Sequence, residues 1–289
     1  MRWKLVGLAV FPTVLMISTL GVAATTSPAA ASVASPSLPG YWLMTAYGSI
    51  YSFNAPYPGS PPNGSCAFDS ITCTGIAAAP GGAGVWVSER DGTLWGLGST
   101  HSEVDCPVGR FGNAPTVGVA AASDGGWLVG SDGGVFAVCG APYFGSMGGR
   151  SLNQPIVGMA STPDGGGYWL VAADGGIFTF GDARYYGSTG AIRLNQPVVG
   201  MAATPDGGGY WLVASDGGVF AFGDAGYFGS MGGKPLNAPM AAIAANPDGT
   251  GYWTVAQDGG VFSFGDAPYL GSLAGQSLDS PVVGIASRN

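Results

Sequence analysis

Charge is scarce in this chain. Only 9% of its 289 residues are Asp, Glu, Lys or Arg, against about 25% in ordinary globular proteins. The same chain has 53 glycines, and each glycine in a helix interior costs about 1 kcal/mol relative to alanine. Coiled coils, long-helix proteins and charge-rich disordered chains are thereby excluded. Lysine is almost missing, with Lys234 alone beyond Lys4, and the net charge is −8. No basic patch exists to neutralise phosphate, which excludes a nucleic-acid partner and disfavours an anionic membrane surface.

Histidine occurs once, as His101, and glutamate twice, as Glu89 and Glu103. A Ser–His–Asp triad must use His101, and no G-x-S-x-G elbow carries its serine. Glycoside hydrolysis needs two carboxylates, one of them with a raised pKa, whereas the aspartates here recur as copies. The four cysteines show neither a C-x-x-C spacing, which leaves zinc without a frame, nor the adjacent pair of quinoprotein dehydrogenases. No catalytic residue, metal ligand or cofactor is expected.

Long apolar runs are confined to the start of the chain. Arg2 and Lys4 precede the apolar stretch from Leu5 to Val22, and small residues follow. This pattern predicts a secretory signal peptide over residues 1–34, cut after Ala24, Ala31 or Ala34. An uncleaved anchor is the alternative. Cleavage leaves no membrane span and a secreted or cell-surface chain over residues 35–289, expected to be a monomer. Four cysteines suit such an oxidising compartment. Of the three pairings they allow, Cys66 with Cys73 and Cys106 with Cys139 are the expected disulfides.

What the chain does have is repetition. Trp42, Trp86, Trp127, Trp169, Trp211 and Trp253 recur at intervals of about 42 residues. A second series begins at Thr72, Pro115, Pro155, Pro197, Pro239 and Pro281, which again makes six. Within Pro197–Asp224, short apolar runs are separated by Pro205-Asp206-Gly207 and by Ser215-Asp216-Gly217-Gly218. Asp-Gly between apolar runs predicts a hairpin with a type I′ turn. Three strands and a short fourth at Tyr227–Ser230 are expected per unit. That is the size of a propeller blade. The chain starts on a second strand at Gly40-Tyr41-Trp42 and ends on a first strand at Pro281–Ile285. The expected fold is therefore all-β, a six-bladed β-propeller whose last strand completes the N-terminal blade and removes the exposed edges.

The run "GYWLVASDGGVFAFGDAGYFGSMGG", residues 209–233, resembles a Gly-rich repeat of secreted bacterial proteins. It is similar, more loosely, to regulator-of-chromosome-condensation and kelch-like propeller repeats. The likeness is clearest over residues 115–289 and degraded over 40–114. It implies a propeller scaffold and no particular reaction.

Two series stand out as candidate sites. Asp91, Asp132, Asp174, Asp216 and Asp258 occupy one hairpin position, and Asp124, Asp164, Asp206 and Asp248 the turn before it. Calcium is the ion to weigh there, but aspartate that bonds its own backbone explains the pattern more simply. Asp182, Asp224 and Asp266 follow the third strand. Beside them, Tyr143, Tyr185, Tyr227 and Tyr269 recur near the outer edge, with Tyr57 in the first blade. Packing between blades accounts for such aromatics. The alternative is that these tyrosines and aspartates bind a glycan by stacking and hydrogen bonding.

The function expected is that of an exported, non-enzymatic binding module for a protein or glycan at the cell surface. A glycan-binding, lectin-like propeller is the first alternative. A polysaccharide- or ester-acting hydrolase with a central-channel site is the second. Equivalent exposed aromatics on many blades favour the first, and one acidic cluster near the axis favours the second.

Overall fold

A computed structural model describes residues 39–62, 66, 72–82, 84–98, 114–122 and 125–288. The expected signal peptide, His101, Glu103, Cys106 and Asp124 lie outside the described residues.

Among the described residues eighteen strands form six antiparallel sheets of three. Blade 2 is β3 (Cys73–Ala78), β4 (Gly84–Glu89) and β5 (Leu94–Gly98). Blade 3 is β6 (Thr116–Ala122), β7 (Gly125–Gly130) and β8 (Val135–Val138). Blade 4 is β9 (Ile156–Ser161), β10 (Gly167–Ala172) and β11 (Ile177–Gly181). Blade 5 is β12 (Val198–Ala203), β13 (Gly209–Ala214) and β14 (Val219–Gly223), and blade 6 is β15 (Met240–Ala245), β16 (Gly251–Ala256) and β17 (Val261–Gly265). Blade 1 joins the two ends of the chain, with β18 (Val282–Arg288) on one side of β1 (Gly40–Thr45) and β2 (Ile50–Phe53) on the other. Tyr41 pairs with Ser287 and Leu43 with Ile285.

First strands pack beside first strands all the way round: β18 on β3, β3 on β6, β6 on β9, β9 on β12, β12 on β15, and β15 back on β18. The fold is thus an all-β, six-bladed propeller shut by its own C-terminal strand.

The middle strands explain why stacking is compulsory. In blades 4 and 5 every residue of Gly-Tyr-Trp-Leu-Val-Ala is buried, so both faces of the sheet are apolar and both need a neighbour. Trp42, Trp127, Trp169, Trp211 and Trp253 are wholly buried, and Trp86 is half-buried. Three consecutive junctions bury an aromatic pair: Trp127 against Tyr168 at 5.3 Å, Trp169 against Tyr210 at 5.8 Å, Trp211 against Tyr252 at 5.5 Å. Trp253 of blade 6 meets Tyr41 of blade 1 at 5.3 Å, so closure uses the same contact. Such pairs add about 0.5–1.5 kcal/mol beyond the area they bury.

Two local expectations are corrected. The hairpin between second and third strands has no type I′ turn. Gly217 N–H bonds Ala214 C=O, and only Gly217 of the turn has positive φ, at 85°. This is a type I turn closed by a left-handed glycine, the three-residue hairpin. It is preferred because the Asp216 carboxylate, left at negative φ, accepts the Gly218 N–H at 3.0 Å. The fourth strand is also absent from the described sheets, each of which has three strands. Tyr227–Ser230 finds its hydrogen bonds elsewhere, as set out below.

Cys66 and Cys73 form a disulfide. Cys139 is disulfide-bonded too, while Cys106, its expected partner, lies outside the described residues. Among the described residues no helix is long and apolar enough to cross a membrane.

Among the described residues two buried hydroxyls are left without a partner, those of Thr254 and Ser263 in blade 6. Thr254 is 1% exposed and its Oγ1 has no hydrogen bond, where blades 1, 3, 4 and 5 have Leu43, Leu128, Leu170 and Leu212 and blade 2 has Val87. Thr254→Val should raise the unfolding free energy by about 1 kcal/mol, because it removes an unpaired polar atom while keeping the shape. Urea denaturation reads this directly, and a lower midpoint contradicts it.

Candidate functional site

The segment after each third strand is held at fixed points. In blade 5 it reads Ala225-Gly226-Tyr227-Phe228-Gly229-Ser230. The buried Trp211 donates its indole N–H to the Gly226 carbonyl at 2.7 Å. The next blade supplies the other anchors: Phe228 N–H donates to the Tyr252 hydroxyl oxygen at 3.3 Å, and that hydroxyl donates to the Gly229 carbonyl at 2.6 Å. These bonds take the place of a fourth-strand ladder, since buried backbone groups must be paired.

With the backbone fixed on both sides of Tyr227, alternation decides where the side chains go. Phe228 turns inward against Trp211 and Tyr252, with centroids at 6.5 and 5.7 Å. Tyr227 turns outward. The glycine that follows is obligatory. The corresponding Gly187 has φ 131°, and a Cβ there would lie 2.7 Å from the Phe222 ring.

The same device recurs around the ring. Indole N–H groups of Trp42, Trp127, Trp169 and Trp253 bond the carbonyls of Pro56, Pro142, Arg184 and Pro268. Hydroxyls of Tyr168, Tyr210 and Tyr41 bond the carbonyls of Gly145, Gly187 and Gly271 in the preceding blade. In consequence Tyr57, Tyr143, Tyr185, Tyr227 and Tyr269 all stand at the rim, 59 to 65% exposed. Packing between blades therefore does not account for this series, although it does account for the tryptophans. Tyr57, Tyr185 and Tyr227 hold their hydroxyls against Ser60, Ser188 and Ser230 at 2.8, 3.1 and 3.3 Å.

The repeated hairpin aspartates are used by their own turns. Oδ1 of Asp91, Asp132, Asp174, Asp216 and Asp258 accepts the N–H two residues on, at 2.9–3.0 Å. Asp164, Asp206 and Asp248 do the same at 2.9–3.1 Å. Among the described residues no three carboxylate, His or Cys side chains converge as a metal site.

Asp182, Asp224 and Asp266 directly follow the third strands on the face that carries the loops between first and second strands, and all three are exposed. Asp182 lines a cleft of about 400 Å³ between blades 4 and 5 with Asp164, Asp206, Arg184 and Tyr186; the Tyr185 ring lies outside it. Asp206 is held below the usual carboxylate range by the Thr204 hydroxyl and the Gly208 N–H, and Asp224 is pushed up by desolvation and by the Asp206 charge. The structure thus places the candidate tyrosines and aspartates on neighbouring parts of the rim without bringing them into one pocket.

Arg184 and Tyr186 were not singled out in the sequence. The Tyr186 hydroxyl bonds the Gly207 carbonyl at 2.9 Å, as a cross-blade tie. Their position beside Tyr185 in the repeat was the available signal. Glu89 is 3% exposed and accepts the indole N–H of Trp95 beside Cys66. It breaks the repeat inside the core and not at the rim.

Six first strands enclose a central channel with a cavity of about 700 Å³, opening among the same loops. Its walls are mostly alanine and larger apolar side chains, with Ser161, Thr162, Thr204, Asn246 and Ser287 as uncharged polar ones. Asp164 is the one titratable side chain among the described lining residues, and its Oδ1 is bonded to Gly166 N–H.

No protein-family model matches the chain, and no curated protein matches it. Solved structures do, in 786 chains, so the shape is widely shared and by itself selects no activity. One of them comes from the crystal structure of a nidogen/laminin complex. It is 11% identical, with a TM-score of 0.61 over 87% of this chain and 98% of that one. At that identity the likeness is one of fold.

Two outcomes are expected. Tyr227→Ala should leave stability within about 0.5 kcal/mol, as an exposed substitution does, whereas Tyr252→Phe should cost about 1–2 kcal/mol through two lost backbone bonds; paired denaturant curves separate them. Alkali should weaken the fold through the buried phenols. Burial pushes Tyr41 and Tyr252 up to about 12, against about 10 in the unfolded chain. Their contribution is complete below pH 10 or so and is lost as pH rises toward their folded pKa. Unfolding free energies measured across that window should fall, and fall less in Tyr252→Phe. Equal slopes contradict the assignment.

Proposed function

We propose that this chain is an exported, non-enzymatic β-propeller that binds a partner outside the cell through its rim. The observation that carries this is the set of five equivalent, exposed tyrosines, each on backbone pinned by a buried tryptophan. Nothing in the core uses their rings, and the pinning removes most of the ordering cost that a flexible contact must overcome on binding.

Further support comes from the channel, where reaction sites of closed rings often lie. Its alanine-rich wall, with a single carboxylate tied to its own turn, speaks against the hydrolase. The solved neighbour from a complex of nidogen and laminin agrees with a role in binding. Export rests on the N-terminal apolar stretch and on the Cys66–Cys73 disulfide, which belongs to an oxidising compartment. The partner class is a protein or a glycan at the cell surface, and the rim residues are Tyr143, Tyr185, Tyr227 and Tyr269 with Asp182, Asp224 and Asp266.

The mature chain should adsorb to isolated cell-envelope material of the producing organism. Alanine at Tyr57, Tyr143, Tyr185, Tyr227 and Tyr269 together should reduce that adsorption at least about tenfold, the loss of more than 1.4 kcal/mol, with the unfolding midpoint unchanged. Equal adsorption by the variant would exclude the rim.

A further inference from the structure

We infer that the rim takes an uncharged polysaccharide of repeating units, with one tyrosine ring from each of five blades stacked on a sugar face. This rests on the rim being the binding surface, as proposed above. The number of copies favours the ligand class. A monomeric protein partner without internal repeats presents any one surface once. Five near-identical subsites find five identical counterparts only on a ligand that itself repeats.

The chemistry at each copy agrees. An exposed tyrosine offers a broad apolar face and a polar tip, the pair of features that a pyranose also has on its C–H face and its edge. In blades 5 and 4 the phenol is anchored on Ser230 and Ser188, and in blade 1 it pairs with Ser60, which fixes the ring edge. Blades 4, 5 and 6 place Asp182, Asp224 and Asp266 three residues before the tyrosine, as acceptors for sugar hydroxyls. Blade 1 has Asn54 there and blade 3 has Gly140.

Charge decides against the polyelectrolytes. Three carboxylates around the rim outnumber Arg184, the exposed cation beside Tyr185, and repel polyanions. A polycation would need the same carboxylates in every blade, and blades 1 and 3 lack them. The rings are common to all five blades, so the shared contact is stacking and the ligand they share is neutral.

Linked subsites convert weak contacts into useful affinity. Each further engagement is intramolecular, and avidity gains of 10² to 10⁴ over a single site are typical. Affinity should therefore climb with the length of the sugar chain.

The test uses the mature protein against cellulose, chitin, mannan, xylan and β-1,3-glucan, with soluble oligosaccharides of the polymer that binds, from one unit upward. The expected result is monosaccharide binding no tighter than roughly millimolar and polymer binding at least 100-fold tighter. Each Tyr→Ala change should weaken the polymer several-fold, while Tyr→Phe at the same positions should retain binding, since the ring face is kept. The inference is overturned if none of the five polymers binds, if affinity is independent of length, or if alanine at all five tyrosines changes nothing. A protease-treated envelope separates the two claims. If adsorption to envelopes depends on the tyrosines but is abolished by protease, the partner is a protein: the glycan falls and the rim stands. If the five-alanine variant adsorbs as well as the wild type, both fall.

Discussion

A phenolic hydroxyl in the second strand of a blade holds this architecture together. Tyr168, Tyr210, Tyr252 and Tyr41 each reach into the preceding blade and bond a glycine carbonyl, and the first three also take a backbone N–H there. The chain beyond each third strand thereby acquires partners without forming a fourth strand. A hydrogen bond of this kind is worth about 0.5–1.5 kcal/mol net, but leaving the same buried groups unpaired costs more. The tie is thus both cohesive and directive: it binds blade to blade and it dictates which side chains turn outward.

Four junctions use the tie, from blade 3 round to blade 1. The other two cannot, because Val85 and Gly126 stand where the tyrosine belongs in β4 and β7. Cysteines concentrate in that same arc. The Cys66–Cys73 disulfide sits at the junction of blades 1 and 2, buried with Glu89 and Trp95 nearby. A covalent link confines the unfolded chain as well as the folded one, so it offsets the loss of the aromatic contact where the repeat has degraded. The molecule has a regular arc and a stapled arc; Tyr143, Tyr185, Tyr227 and Tyr269 follow the regular one, and Tyr57 stands where the stapled one begins.

Much of this was legible in the residues. The tryptophan interval gave six units, Asp-Gly located the hairpins, and the phase of the two chain ends implied the pairing of β18 with β1. The turn type was not legible, because Ser215-Asp216-Gly217-Gly218 suits either a two-residue or a three-residue loop, and the carboxylate bond to Gly218 selects the latter. The absence of a fourth strand was hidden for a different reason. Tyr227-Phe228 has strand composition, and only its spatial relation to Tyr252 shows that its hydrogen bonds are taken. Exposure of Tyr227 beside a buried-facing Phe228 was within reach of period-two reasoning, but which of two adjacent aromatics faces the core depends on the indole bond to Gly226. The candidate aspartates were harder still, since Asp164 and Asp182 look alike in sequence and differ only in whether a turn N–H occupies the carboxylate.

Ring closure is where sequence pattern, packing and presentation of the rim meet. The direct measurement is unfolding of a chain ending at Ser280, which lacks β18. That change leaves the inner edge of β1 unpaired and breaks the contacts of β18 with β3 and β15. The expected result is loss of a single cooperative transition in chemical denaturation, restored in part by adding a peptide of residues 281–289. A truncated chain that unfolds in one transition at the full-length midpoint would contradict the account.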